Sequence, residues 1–184
     1  SNSERDQVFM KTIFADYVQD KLSGKNVTII ETAENSLYPH LKRTLKTAGA
    51  NINASIAVTD KTLDTTNEPG NPQSEPSLAT ILSDAIAYSQ TERINALQDQ
   101  RLIEVNGSLD STPDFVIIAG GSSQESNKPK IVDVPLIKEL KKRSISVVGV
   151  EGSNVGYSYI DHYKKERIST VDNVDTIIGQ TSLV

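Results

Sequence analysis

Cysteine is absent from the 184 residues. That excludes disulfides, thiolate metal sites and cysteine nucleophiles, but leaves the compartment open, because a disulfide-free protein is at home inside or outside a cell. Histidine occurs twice and methionine once, a poor set of soft ligands. Copper or zinc would have to be held by histidine together with carboxylates. No basic block stands out beyond Lys141-Lys142-Arg143, and the net charge is −5. Nucleic acid is therefore not an expected partner, since phosphate binding needs a basic footprint. No run reaches the ~18 apolar residues of a membrane-spanning helix, and no signal peptide is present. Ser1-Asn2 reads as a cloning remnant, so both ends are expected to be cut from a longer chain. A dinucleotide fingerprint is missing too, because the first strand is followed by "ETAENSLYP", without a glycine. No cofactor is expected.

Hydrophobic residues make up 36% and aromatic residues 5%, which suits one polar α/β domain with an appended arm. The arm, residues 1–22, carries Val8, Phe9, Ile13, Phe14, Tyr17 and Val18 on a helical stripe. From residue 23 to 184 strands and helices alternate. "NVTIIET" reads as a buried strand, and a helix follows with Leu37, Leu41 and Leu45 inward, Pro39 in its first turn and Gly49 as its stop. "NINASIAV" alternates Ile52, Ala54, Ile56 and Val58 toward one better-buried face. The polar stretch near residues 60–76 reads as a flexible loop. Residues 77–102 are helical, and Thr91-Glu92 is a point at which they can divide. "DFVIIAGG" is the clearest buried strand. The next helix is read as capped by Asp133, with Pro135 in its first turn. A further strand ends in "GVEGSNVGY", and a short helix, the short edge strand "RIST" and a last helix complete the chain.

This order predicts a Rossmann-like or flavodoxin-like open sheet, mainly parallel, of about five strands with helices on both faces. Ligands of such sheets sit beyond the carboxyl ends of the strands, near the topological switch point. The candidate ligand-binding residues are therefore Thr32, Asp60, Gly120, Gly121, Ser122, Glu151, Gly152, Asp172 and Asp175. "AGGSS" could form an anion-binding nest, but a tight turn is the preferred reading. In the second glycine-rich turn, Gly149 implies close packing, whereas Gly152 and Gly156 imply positive φ. His40 and His162 have no evident catalytic partner, and Tyr159 and Tyr163 are expected to pack around His162. Asp172 and Asp175 could bind a cation. The preferred reading places them at the N-cap and N3 positions of the last helix, where acids stabilise the terminus.

The closing stretch, "RISTVDNVDTIIGQTSLV", resembles the closing motif of the copper transporter (MctB-like) family through Ser169, Thr170, Val171, Asp172, Asn173, Asp175, Thr176, Gly179 and Gln180. The strand-helix-strand of residues 22–64, "DFVIIAGG" and "SISVVGVEGSNVGYSYI" are similar to the family's earlier elements. The resemblance implies a bacterial envelope protein: a single membrane-anchoring helix outside this sequence, a coiled-coil stalk and an extracytoplasmic α/β domain. The N-terminal helix would be the end of the stalk and the seam of a homodimer. One branch of the family is tied to copper resistance. A corynebacterial branch is tied to cell separation, beside a partner membrane protein.

Three functions follow as expectations. The first is a non-enzymatic envelope module that binds a partner protein or small ligand at its strand ends, in cell separation or envelope maintenance. The second is copper transport or tolerance, with His40 or His162 as ligands. The third is a hydrolase using Asp172 and Asp175, which would need a concave pocket and an oxyanion or cation partner.

Overall fold

The computed structural model describes residues 22–64 and 75–175. Six strands form one sheet: β1 (Asn26–Glu31), β2 (Asn51–Val58), β3 (Ile103–Gly107), β4 (Phe115–Gly120), β5 (Ser146–Glu151) and β6 (Ser169–Val171). Their spatial order is β3-β2-β1-β4-β5-β6, and every pair is parallel except β2 with β3. Five helices accompany them: α1 (Tyr38–Thr47), α2 (Leu78–Tyr88), α3 (Ile94–Asp99), α4 (Val134–Lys142) and α5 (Ile160–Lys165). The open, mainly parallel α/β sheet is as the alternation required. The arm up to residue 21, most of the polar loop and the stretch beyond Asp175, where a last helix is expected, lie outside the described residues.

The central strands are apolar on both faces because each face meets helices. In β1, Val27 and Ile29 join Leu41 and Leu45 of α1 on one side, with Leu22, Ile117, Ala119, Val148 and Val150. Ile30 faces the other side, where α2, α3, α4 and α5 bring Leu82, Ile86, Leu97, Leu136, Leu140 and Tyr163. From β1 the chain crosses by α1 to β2, then returns past β1 to β4 on its other flank. The carboxyl ends of β1 and β4 therefore bound the switch point.

Three local readings need correction. First, residues 103–107 are not the tail of a helical stretch but a strand of the described sheet: Ile103 and Val105 alternate with Glu104 and Asn106, and the segment pairs antiparallel with β2 at the sheet edge. Second, Ile52 and Ala54 do not share a face. The register slips between Val27 and Thr28, which pair with Ile52 and Ala54, so Asn53 is an extra residue that turns Ile52 toward α1. Third, Asp133 is not a cap. The helical run begins one turn earlier, at Pro129, so Asp133 lies inside it with helical dihedrals and a fully buried side chain. Residues 77–102 do divide: α2 is capped at Ser77, whose Oγ accepts from Thr80 N at 3.2 Å, and stops at Ser89 with φ +56°.

Candidate functional site

The loops leaving β1, β4 and β5 are stitched to one another at the carboxyl edge. Thr32 N and Ala33 N donate to Ala119 O, Glu34 N donates to Gly121 O, and Ser122 and Tyr157 exchange two backbone bonds. Glu34 reaches back so that Ser123 N donates to its carboxylate at 2.5 Å, and bonding to the Ser123 side chain, together with that N–H, lowers the acid's pKa.

Two strand-end glutamates do the same job in two places. Glu31 closes β1 and accepts from Ser36 Oγ and Leu37 N, both at 3.2 Å, at the start of α1. Glu151 closes β5 and accepts from Ser158 Oγ at 2.8 Å and Tyr159 N at 2.6 Å, at the start of α5. Burial raises the pKa of both, and those bonds offset part of the rise. The pattern is legible afterwards in the sequence as a strand ending in Glu, a short loop, then Ser just before a helix. It went unread because neither serine looks like more than an ordinary cap.

Below the edge lies a polar cluster that sequence reasoning missed. Thr32 Oγ1 and Tyr163 Oη both donate to Asp133 Oδ2, at 2.6 and 2.5 Å. Asp133 Oδ1 is buried without a hydrogen-bond partner. Burial pushes the acid's pKa up to about 6, against the pull of the two hydroxyls and of Lys128. The Lys128 side chain is itself only 4% exposed, and its Nζ donates to Asp60 Oδ1 at 2.9 Å. Glycines make the room. A Cβ at Gly149 would lie 2.5 Å from the Tyr163 ring, and one at Gly120 would overlap Tyr163 Oη and the Tyr159 ring. Tyr159 and Tyr163 stack edge to face at 6.5 Å, whereas His162 bonds Tyr157 Oη at 3.4 Å, so the two tyrosines do not pack around His162 as expected.

Two clefts open on this edge and share Ser122. The first, about 360 Å³, is lined by Thr32, Glu34, Asp60, Tyr159 and the Ser122–Ser126 loop. The second, about 270 Å³, lies between the start of α1 with Ser36 and His40, the Gly120-Gly121 turn, and Gly152-Ser153-Asn154 with Asp175. The candidate residues thus divide: Thr32, Asp60 and Ser122 face the first cleft, and Gly120, Gly121, Ser122, Gly152 and Asp175 the second. Glu151 lies buried beneath, and Asp172 is exposed on the turn after β6. Asp175 crosses to the β5 loop, accepting from Ser153 N and Ser153 Oγ at 2.8 Å each. Positive φ belongs to Gly121 (+111°) and not to Gly152 or Gly156, whose requirement is close approach to Leu37 and to Ser123 O.

For copper, the donors are dispersed. His40 is on α1 and His162 on α5, on opposite faces of the sheet, so one ion cannot take both. Among the described residues no group of three or more His, Asp or Glu is placed to hold a metal. Nor is any described helix long and apolar enough to cross a membrane.

The family of copper transport outer membrane proteins, MctB, matches residues 1–184, the whole chain. The protein belongs to the MctB family. Its membership places it among copper-related envelope proteins. No curated protein sequence matches this MctB-family chain. Among solved structures it is similar to a flavoprotein in complex with FMN from Lactobacillus acidophilus NCFM. That likeness has a TM-score of 0.42 and 13% identity, over 85% of this chain and 97% of the other.

Proposed function

We propose that this MctB-family domain is a recognition module of the cell envelope, taking a polar ligand or a polar segment of a partner protein at its carboxyl-edge clefts. One observation carries the reading. The acids of the edge are engaged in holding loops: Glu31 on α1, Glu151 on α5, Glu34 on Ser123 and Asp175 on Ser153. Besides the carboxylates of Glu34, Asp60 and Glu125 on the first cleft, what faces the clefts is largely a set of hydroxyls, amides and backbone groups, which suits hydrogen-bonded recognition. Such a set does not suit soft-metal coordination. Asp175 is on this view a positioning residue of the second cleft, and a hydrolase built on Asp172 and Asp175 has less support.

Membrane anchoring, action beside a division or cell-separation partner, and dimerisation through residues 1–22 are further parts of this proposal, supported by the likeness to the family. Two measurements test the core of it. Calorimetry with Cu(I) kept reduced, and separately with Cu(II), should show no stoichiometric binding tighter than millimolar. A photocrosslinking side chain at Ser123 or at Asn154, in cells carrying the whole protein, should give a defined adduct that the same group at Tyr88 does not. One-to-one copper binding at micromolar concentration, or equal adducts at all three positions, overturns the proposal in favour of metal handling or of no edge site.

A further inference from the structure

A helix that joins two parallel strands runs back from the carboxyl edge, so α4 and α5 both end at the opposite, amino edge of the sheet. Those two ends carry Lys138, Lys141, Lys142, Lys164, Lys165 and Arg167, all exposed. They adjoin: Lys141 Nζ donates to Glu166 O at 2.6 Å, and Lys138 Nζ lies 3.9 Å from the Glu166 carboxylate. The helix dipole accounts for cations at either terminus taken singly. It does not balance their sum, because the acids close by are engaged. Glu139 accepts from Lys142 and Arg143, Asp84 of α2 accepts from Arg143, and Glu166 faces Lys138. The exposed Asp161 belongs to the first turn of α5. Beside this basic patch stands Tyr88 at the end of α2, with the Arg143 guanidinium 6.0 Å from its ring centre. At 57% exposure it is the one large hydrophobic side chain left in solvent among the described residues. The foot of the arm lies at the same edge: Leu22 precedes β1, and Gly24 N donates to Gly49 O at the turn before β2.

We propose that this end of the domain docks on an anionic lipid bilayer, with the lysines and Arg167 on headgroup phosphates and Tyr88 at the headgroup level. A chain of net charge −5 is repelled by such a surface unless it presents one end. Here the ends differ. Glu34, Asp60 and Glu125 line the first cleft at the carboxyl edge. They stand a strand's length from the basic patch, roughly 20 Å, which is about two Debye lengths at ~0.1 M salt. A flat surface therefore meets the cations while the acids are screened from it. A soluble phosphate polymer would neutralise the lysines as well, but it has no apolar layer to receive the Tyr88 ring. Docked in this way, the domain turns its carboxyl-edge clefts away from the lipid, open to a partner. The orientation rests on the proposed placement of this domain at a membrane. Its test involves neither an anchor nor a cleft ligand, so docking and cleft recognition fail separately.

The test is co-sedimentation of the whole chain with vesicles of phosphatidylcholine, alone or with one third phosphatidylglycerol. The chain should pellet with the anionic vesicles at low salt, leave them at high salt, and stay in solution with the neutral ones. Lys164→Gln combined with Lys165→Gln should lower the partition coefficient roughly twentyfold, about fivefold for each cation. Lys61→Gln combined with Lys130→Gln takes the same charge from exposed positions at the carboxyl edge and should leave the coefficient unchanged. Tyr88→Ala should weaken binding to the vesicles and not to immobilised inorganic polyphosphate. No binding to anionic vesicles, equal binding to neutral ones, full binding by the Lys164 and Lys165 variant, or an equal loss in the Lys61 and Lys130 variant overturns the docking surface. Vesicle binding that is unmoved by Tyr88→Ala overturns the bilayer in favour of phosphate polymers in general.

Discussion

A carboxylate buried with two hydroxyl donors on one oxygen and none on the other is stabilised, but less well than in water. For Asp133 the consequence for stability has a definite sign. Its folded pKa, about 6, is above the ordinary 3.8, so the fold holds the proton more tightly than the unfolded chain does. The associated stability is fully present below about pH 3.9 and is lost as pH rises through about 6. The loss by neutral pH is at most about 3 kcal/mol. Asp133→Asn should therefore flatten the fall of Tm between pH 4 and 7, with a smaller slope of the same sign left by Glu31 and Glu151. An unchanged slope would mean that Asp133 does not carry the linkage. Gly149 gives a second expectation at this scale. Its missing Cβ is the seat of the Tyr163 ring, so Gly149→Ala forces the ring off Asp133. Overpacking of this kind costs about 2 kcal/mol, to be read from urea unfolding midpoints.

The elements were legible wherever periodicity had length to act on. β1, β4 and β5 are unbroken apolar runs and α1 an inward leucine stripe, so strand and helix chemistry agree with the tertiary role. β3 has only five residues and follows directly on α3, so its two-residue alternation lay too close to the helical pattern to stand out. Asn53 illustrates a different limit: a bulge is a property of the pair, and nothing within "NINASIAV" announces it. Asp133 was misread because Pro135 is suited to a first turn, and the extra turn from Pro129 is visible only in space. Of the candidate residues, strand-end logic brought most to the edge, but not which acids face a cleft and which hold a loop. The loop-holding role has a measurable cost. Glu151→Ala strands two donors at the start of α5 and should destabilise by about 2 kcal/mol, with faster exchange of the Tyr159 amide. Ser77→Ala removes a single cap bond and should cost about 1 kcal/mol.

For the whole molecule, the sheet separates two cores that answer to different parts of the chain. One is closed by α2, α3, α4 and α5, while the other has α1 together with Leu22 and Val174, which lie at the two ends of the described chain. Leu22 is buried to 1% exposure and Lys25 N donates to its carbonyl, so the residue at the foot of the arm already belongs to the domain. This bears on how dimerisation through residues 1–22 is to be tested. A chain cut after Leu22 would lose a core side chain, at a cost of roughly 2–5 kcal/mol if it behaves like other buried leucine deletions. Any change in mass would then be confounded with partial unfolding. A chain cut just before Leu22 keeps that anchor. If the arm is the seam, light scattering should give the full chain as a dimer and the shortened chain as a monomer, with unfolding midpoints that agree once measured at the same protein concentration below dissociation. Equal masses would place the dimer contact on the α/β domain itself or remove it, and the arm would then need another role.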